Sequence, residues 1–231
     1  MNKKKVLLVA LAMMLVCALS VMGTMALLAE NGGAVVNTFV AAGGGNDFVD
    51  SFTLKEYQYT QNNDGTYTKG TAVTGTEDNY YVVNEYVVLP GTTIPKEAFV
   101  ELRRTSDAPA YLFIEVKSDL STANAAKDVK PVYSWSVDTS NWEETTATGL
   151  NGGNVYVYKD TLGKVETAAK YGILTNNSIV VNKNATAAEI GTNKVKMEFY
   201  AYICQATVAK DDGSNTSDPA EVFDICFKPN P

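Results

Sequence analysis

Cys204 and Cys226 are the two residues of this chain whose type and spacing best suit covalent chemistry. In an oxidising compartment such a pair can close to a disulfide, worth about 3 kcal/mol for a loop of this length. Two free thiols are the alternative, because a cross-strand disulfide needs suitable Cβ geometry. The 231 residues include no histidine. That removes Ser-His-Asp and Cys-His catalysis, HExxH zinc proteolysis and every His-ligated metal site. Glu143 and Glu144 form a carboxylate pair of the sort glycosidases use. Neighbours on a strand point to opposite faces, so the pair reads as solvated surface.

Asn62-Asn63-Asp64-Gly65 and Asp211-Asp212-Gly213-Ser214 carry oxygens suited to calcium. Neither runs on to the glutamate of an EF-hand loop, and both read as turns first. Trp135 and Trp142, with Tyr80, Tyr81, Tyr156 and Tyr158, would suit a polysaccharide platform. Core packing in a β-sandwich uses the same residue types and is the preferred reading. Asn176, Asn184 and Asn215 begin glycosylation sequons, which matter only in a host that glycosylates them. No catalytic residue, metal ligand or cofactor is expected.

The elements that would position these residues follow an apolar leader. Lys3, Lys4 and Lys5 precede an apolar run over residues 6–22, and Gly23-Thr24-Met25-Ala26 supplies small residues. Basic, apolar and small-residue regions in that order make a secretory signal, with Thr24 and Ala26 at the −3 and −1 positions of the cut. A cut after Ala29 is second choice, and an uncleaved anchor is the alternative. Cys17 leaves with the leader. Losing three lysines takes the formal charge from −7 to −10, which argues against nucleic acid and anionic membrane as partners.

Residues 27–46 form a separate segment, and residues 47–231 read as one domain. Gly32-Gly33 and Gly43-Gly44-Gly45 flank a β-prone stretch containing Val35, Val36, Asn37, Thr38, Phe39 and Val40. Glycine makes both flanks flexible, so this strand is a candidate donor to a neighbour's sheet. Head-to-tail donation does not close and therefore builds filaments. Pairing within its own domain as an ordinary first strand is the other reading.

Strands are expected over residues 48–59, 66–68, 79–89, 98–104, 110–117, 132–137, 154–158, 179–182, 194–207 and 221–227, with one or two helical turns within 162–171. About ten short strands separated by turn signals make an all-β, jelly-roll-like β-sandwich. Alternation puts Met197, Phe199, Ala201 and Ile203 on one face and Tyr200, Tyr202 and Cys204 on the other. A hairpin of the last two strands would set Cys204 against Cys226, Ile203 opposite Phe227 and Thr207 opposite Phe223.

Several segments together resemble the TasA/camelysin family. They are the leader ending Gly23-Thr24-Met25-Ala26, Val36-Asn37-Thr38-Phe39, Phe52-Thr53-Leu54-Lys55-Glu56, residues 88–96, residues 110–116, Trp142, residues 155–159 and residues 199–205. The resemblance implies export through a SipW-type signal peptidase and secretion from a Gram-positive cell. It also implies a jelly-roll domain that self-associates into biofilm-matrix fibres by donor-strand exchange, with other matrix or cell-surface components as further partners. A cell-surface adhesin or glycan-binding module is the second expectation. The metallopeptidase label carried by camelysin-type members is the third, and the absence of histidine weighs against it.

Overall fold

A computed structural model describes residues 30–32, 51–74, 89–104, 106–118, 132–186, 190 and 197–228. These contain fourteen strands and one α-helix, so the protein is all-β and sandwich-like. The strands are β1 (Glu30–Gly32), β2 (Ser51–Gln61), β3 (Tyr67–Val73), β4 (Thr93–Pro95), β5 (Ala98–Arg104), β6 (Ala110–Ser118) and β7 (Tyr133–Ser134). They continue as β8 (Trp142–Thr148), β9 (Asn154–Tyr158), β10 (Val165–Gly172), β11 (Ser178–Val181), β12 (Met197–Gln205), β13 (Val208–Ala209) and β14 (Asn215–Thr216). The helix α1 (Pro219–Phe227) follows.

A five-stranded sheet runs β1-β12-β6-β9-β8, and a four-stranded sheet runs β10-β5-β2-β3. Every pairing in both is antiparallel. The two sheets bury their facing alternate residues against each other. Phe52, Leu54, Val100 and Leu102 come from one, and Leu112, Ile114, Phe199, Ala201 and Ile203 from the other. Trp142 ties the layers together: it is core, and its Nε1 donates to the Gly172 carbonyl across the sandwich at 2.7 Å. A small sheet β4-β11-β7 closes one end over Ile94, Val132, Ile179 and Val181.

Arg104 fixes a corner of the sandwich from inside. Its guanidinium is fully buried and donates to the carbonyls of Leu162, Gly163 (2.9 Å) and Ala108 (2.6 Å). Planar donors in a fixed fork suit three converging carbonyls as no other side chain would.

Two expected elements differ. Residues 165–172 form β10, not helical turns, and pair with the β5 edge through an irregular register. That edge offers a ladder of backbone partners, which overrides a local preference contributed mainly by Ala168 and Ala169. Residues 219–227 form α1, not a strand. Asp218 caps it by accepting from the amides of Ala220 and Glu221, both at 3.0 Å, and Pro219 occupies the first helical turn, where its missing N–H costs nothing. Val222, Phe223, Cys226 and Phe227 recur at helical spacing and face the sheet.

Candidate assembly edge and the helix-covered face

β12 is where the two ends of the described chain meet. Its nine residues pair without interruption along β6, from Met197 opposite Ser118 to Gln205 opposite Ala110. On its other side it pairs with β1 at Glu30 opposite Ile203, Asn31 opposite Tyr202 and Gly32 opposite Ala201. Among the described residues, Glu30, Asn31 and Gly32 pair with this edge of β12. Glu30, Asn31 and Gly32 carry no β-propensity signal, so residue pattern alone passes over them. Their one cue is position, a few residues after the expected cut at Ala26. The expected donor residues Val35, Val36, Asn37, Thr38, Phe39 and Val40 lie outside the described residues, as do Thr24 and Ala26 of the expected cut.

Alternation along β12 is as expected, with Phe199, Ala201 and Ile203 toward the inter-sheet core and Tyr200, Tyr202 and Cys204 on the opposite face. That opposite face is buried as well, because α1 lies over it. Phe223 sets its ring edge-on to Phe113 (centroids 5.3 Å, 68°) and to Tyr202 (5.2 Å, 88°). Phe227 adds contacts to Phe113 at 6.3 Å and Tyr202 at 5.2 Å. The expected placement of Phe223 and Phe227 opposite Thr207 and Ile203 is therefore corrected. Both rings sit on the cysteine side of the sheet, because a helix presents them at i and i+4.

The same face holds a fully buried carboxylate. Glu115 on β6 accepts from the Tyr202 hydroxyl at 2.7 Å, from the amides of Asn151 and Gly153 at 2.8 Å each, and from Asn151 Nδ2 at 3.1 Å. Burial first, and then the bond to Glu115, raise the Tyr202 phenol far above its ordinary value. The turn between β8 and β9 must press against this carboxylate, so glycine stands at its closest points. A Cβ at Gly149 would come within 2.2 Å of the Glu115 side chain, and one at Gly153 within 2.6 Å of the Val116 carbonyl. These donors satisfy the charge and so make Glu115 a structural anchor.

Cys204 is buried and Cys226 half-buried, and both are free thiols. Cys226 packs against the apolar cluster that contains Cys204, and burial, followed by the neighbouring Cys226 thiol, pushes the Cys204 thiol well up. Cys226 reaches this side of the sheet on α1, and not through the expected hairpin of strands. The expected loop over residues 210–215 joins β13 to β14.

The acidic loops are turns. Asp64 Oδ1 accepts from the amide and hydroxyl of Thr66 at 2.9 and 2.6 Å, and Asp212 Oδ1 does the same with Ser214. Asp138 repeats the device with Ser140. These hydroxyl bonds hold all three carboxyls below their usual range. Among the described residues no group of three or more Cys, Asp or Glu is placed to hold a metal ion. Glu143 and Glu144 are both exposed on β8, and Glu144 accepts from Asn154 Nδ2 at 2.9 Å. Of the aromatic residues, Trp142 is core, Trp135, Tyr156 and Tyr158 pack against it, and Tyr80 and Tyr81 lie outside the described residues.

The fold and this edge define an all-β sandwich whose N-terminal strand completes a sheet margin. No family model, curated protein or solved structure matches the chain.

Proposed function

We propose that this protein is an exported structural subunit that assembles into extracellular or biofilm-matrix fibres by donor-strand exchange, in the manner of the TasA/camelysin proteins its sequence resembles. The observation that supports the reading is the pairing of β1 on β12. A short strand close behind the expected cut after Ala26 completes the margin of a large sheet, and does so through backbone bonds any similar strand could make. Exchanging it for the same segment of another copy conserves those bonds and joins the two copies. In the register of β1, a donor running on past Gly32 would bring Val35 and Val36 opposite Glu198 and Met197. That would extend the pairing along β12 beyond the three residues of β1. The partner is then a second copy of the chain, with matrix or cell-surface components beyond it and a SipW-type peptidase during export.

Removal of residues 27–42 from the secreted form tests the reading. A folded monomer by sedimentation, with fibres absent from electron micrographs, is the expected result. Fibres that persist unchanged without this segment would overturn it.

A further inference from the structure

Cys204 and Cys226 approach each other across the seam between β12 and α1, within a single apolar cluster that also holds Phe113, Tyr202, Phe223 and Phe227. We propose that the two form an oxidisable latch, which closes to a disulfide in an oxidising medium and fastens the C-terminal helix to the sheet. The inference is independent of fibre assembly, since it concerns how one copy holds its own last element.

The need for a latch follows from how α1 is held. Its beginning is tethered several times. Tyr111 donates its hydroxyl to the Ser217 carbonyl at 2.8 Å, Asp218 caps the first turn, and Glu221 accepts from Thr216 Oγ1 and Lys210 Nζ, both at 2.6 Å. The last turn rests on packing: Phe227 is buried against the sheet, and the ion pair of Lys228 with Asp224 lies within the helix's own C-terminal end. A nine-residue helix is marginal without tertiary support. Cys226 sits in this less tethered turn, one residue before Phe227.

The difference in exposure orders the chemistry. Cys226 is half-buried and reachable from solvent, whereas Cys204 is fully buried beneath it. With a low-molecular-weight disulfide as oxidant, the Cys226 thiolate attacks one of its sulfurs and expels one thiolate, leaving a mixed disulfide on Cys226. Cys204 then gives up its proton and attacks Cys226 Sγ, expelling the second thiolate. Two protein thiols lose two electrons and two protons, and one small disulfide becomes two small thiols. Burial keeps the Cys204 thiol protonated until its partner is activated, so it acts second.

Incubating the full chain with oxidised glutathione or with dithiothreitol, followed by denaturing alkylation and peptide mapping, tests the latch. In the oxidised sample the Cys204 and Cys226 peptides should be linked within one chain and refractory to alkylation, with Cys17 distinguished by its own peptide. The oxidised form should melt several degrees above the reduced form and show slower amide exchange at residues 224–228. In Cys226→Ser, which changes a half-exposed side chain and spares the core, melting and exchange should no longer respond to redox conditions. Both thiols remaining open to alkylation after oxidation would overturn the latch. So would linkage between chains, or a disulfide that leaves the exchange of the last turn unchanged.

Discussion

The Tyr202 hydroxyl on β12 donates at 2.7 Å to the fully buried carboxylate of Glu115 on the adjacent β6, two residues from the register position that β12 shares with it. Both side chains lie on the same face of the sheet, where the β8–β9 turn closes over the carboxylate and surrounds it with donors. Tyr202→Phe removes the one hydroxyl and leaves the amide donors of Asn151 and Gly153 in place. The expected cost is about 1.5–3 kcal/mol, the worth of a hydrogen bond to a charged group, read by urea denaturation. A cost below a few tenths would mean that the carboxylate does not depend on this donor.

Gly149 and Gly163 separate steric need from ordinary loop glycine. An alanine Cβ at Gly149 collides with Glu115, while at Gly163 nothing lies within 4 Å. Gly149→Ala is expected to destabilise by about 1–3 kcal/mol or more, and Gly163→Ala to stay within about 0.5 kcal/mol of the parent. Equal melting temperatures for the two variants would remove the steric account of the β8–β9 turn.

Arg104→Lys keeps the charge and loses the fork. A single ammonium cannot serve the carbonyls of Leu162, Gly163 and Ala108 together, so at least one of these charge-assisted bonds is lost. The expected loss is about 2 kcal/mol, measured by chemical denaturation. Arg104→Met should cost no less.

Glu97 accepts from Tyr59 at 2.7 Å and from Lys69 at 2.6 Å, and this arrangement responds to both ends of the pH scale. Burial and then the bond to Glu97 push the Tyr59 phenol from 10.0 up to about 12. A raised folded value means the contribution is whole below pH 10 and is lost as pH climbs from there through about 12. Burial works to raise the Glu97 carboxyl, but Lys69 and Tyr59 together bring it below its ordinary value. Its contribution is whole above the ordinary carboxylate range and is lost as pH falls below it. Ultraviolet titration should show several tyrosines ionising late, Tyr202 among them, with one fewer in Glu97→Gln as Tyr59 moves back toward 10; an unchanged titration in that variant would break the link.

Much of the sandwich is legible in residue order because strands buried on one face alternate. Residues 98–104 and 154–158 match their strands end to end, and the two faces of β12 follow from Phe199, Ala201 and Ile203 against Tyr200, Tyr202 and Cys204. The last element misleads because Phe223, Ile225 and Phe227 alternate as a strand would. Val222, Phe223, Cys226 and Phe227 at the same time repeat as a helix does. Asp218-Pro219 was the local cue that separates the two, as a cap followed by the residue best suited to a first turn. The strand β8 hides behind Glu143 and Glu144, since an edge strand exposed on its outer side needs little apolar pattern. Glu30, Asn31 and Gly32 are invisible to pattern for a related reason. Their partner supplies the ladder, and residues of these types carry no strand preference.

The position of β12 between β1 and β6 has a consequence for timing. A chain made from its N-terminus has β1 and β6 in hand long before residues 197–205 exist, yet neither the margin nor the five-stranded sheet can form without them. The cluster around Phe113 waits longer still, until Phe223 and Phe227 have been added. Completion of the five-stranded sheet thus waits on β12, although the four strands β10, β5, β2 and β3 of the facing sheet are all made before it.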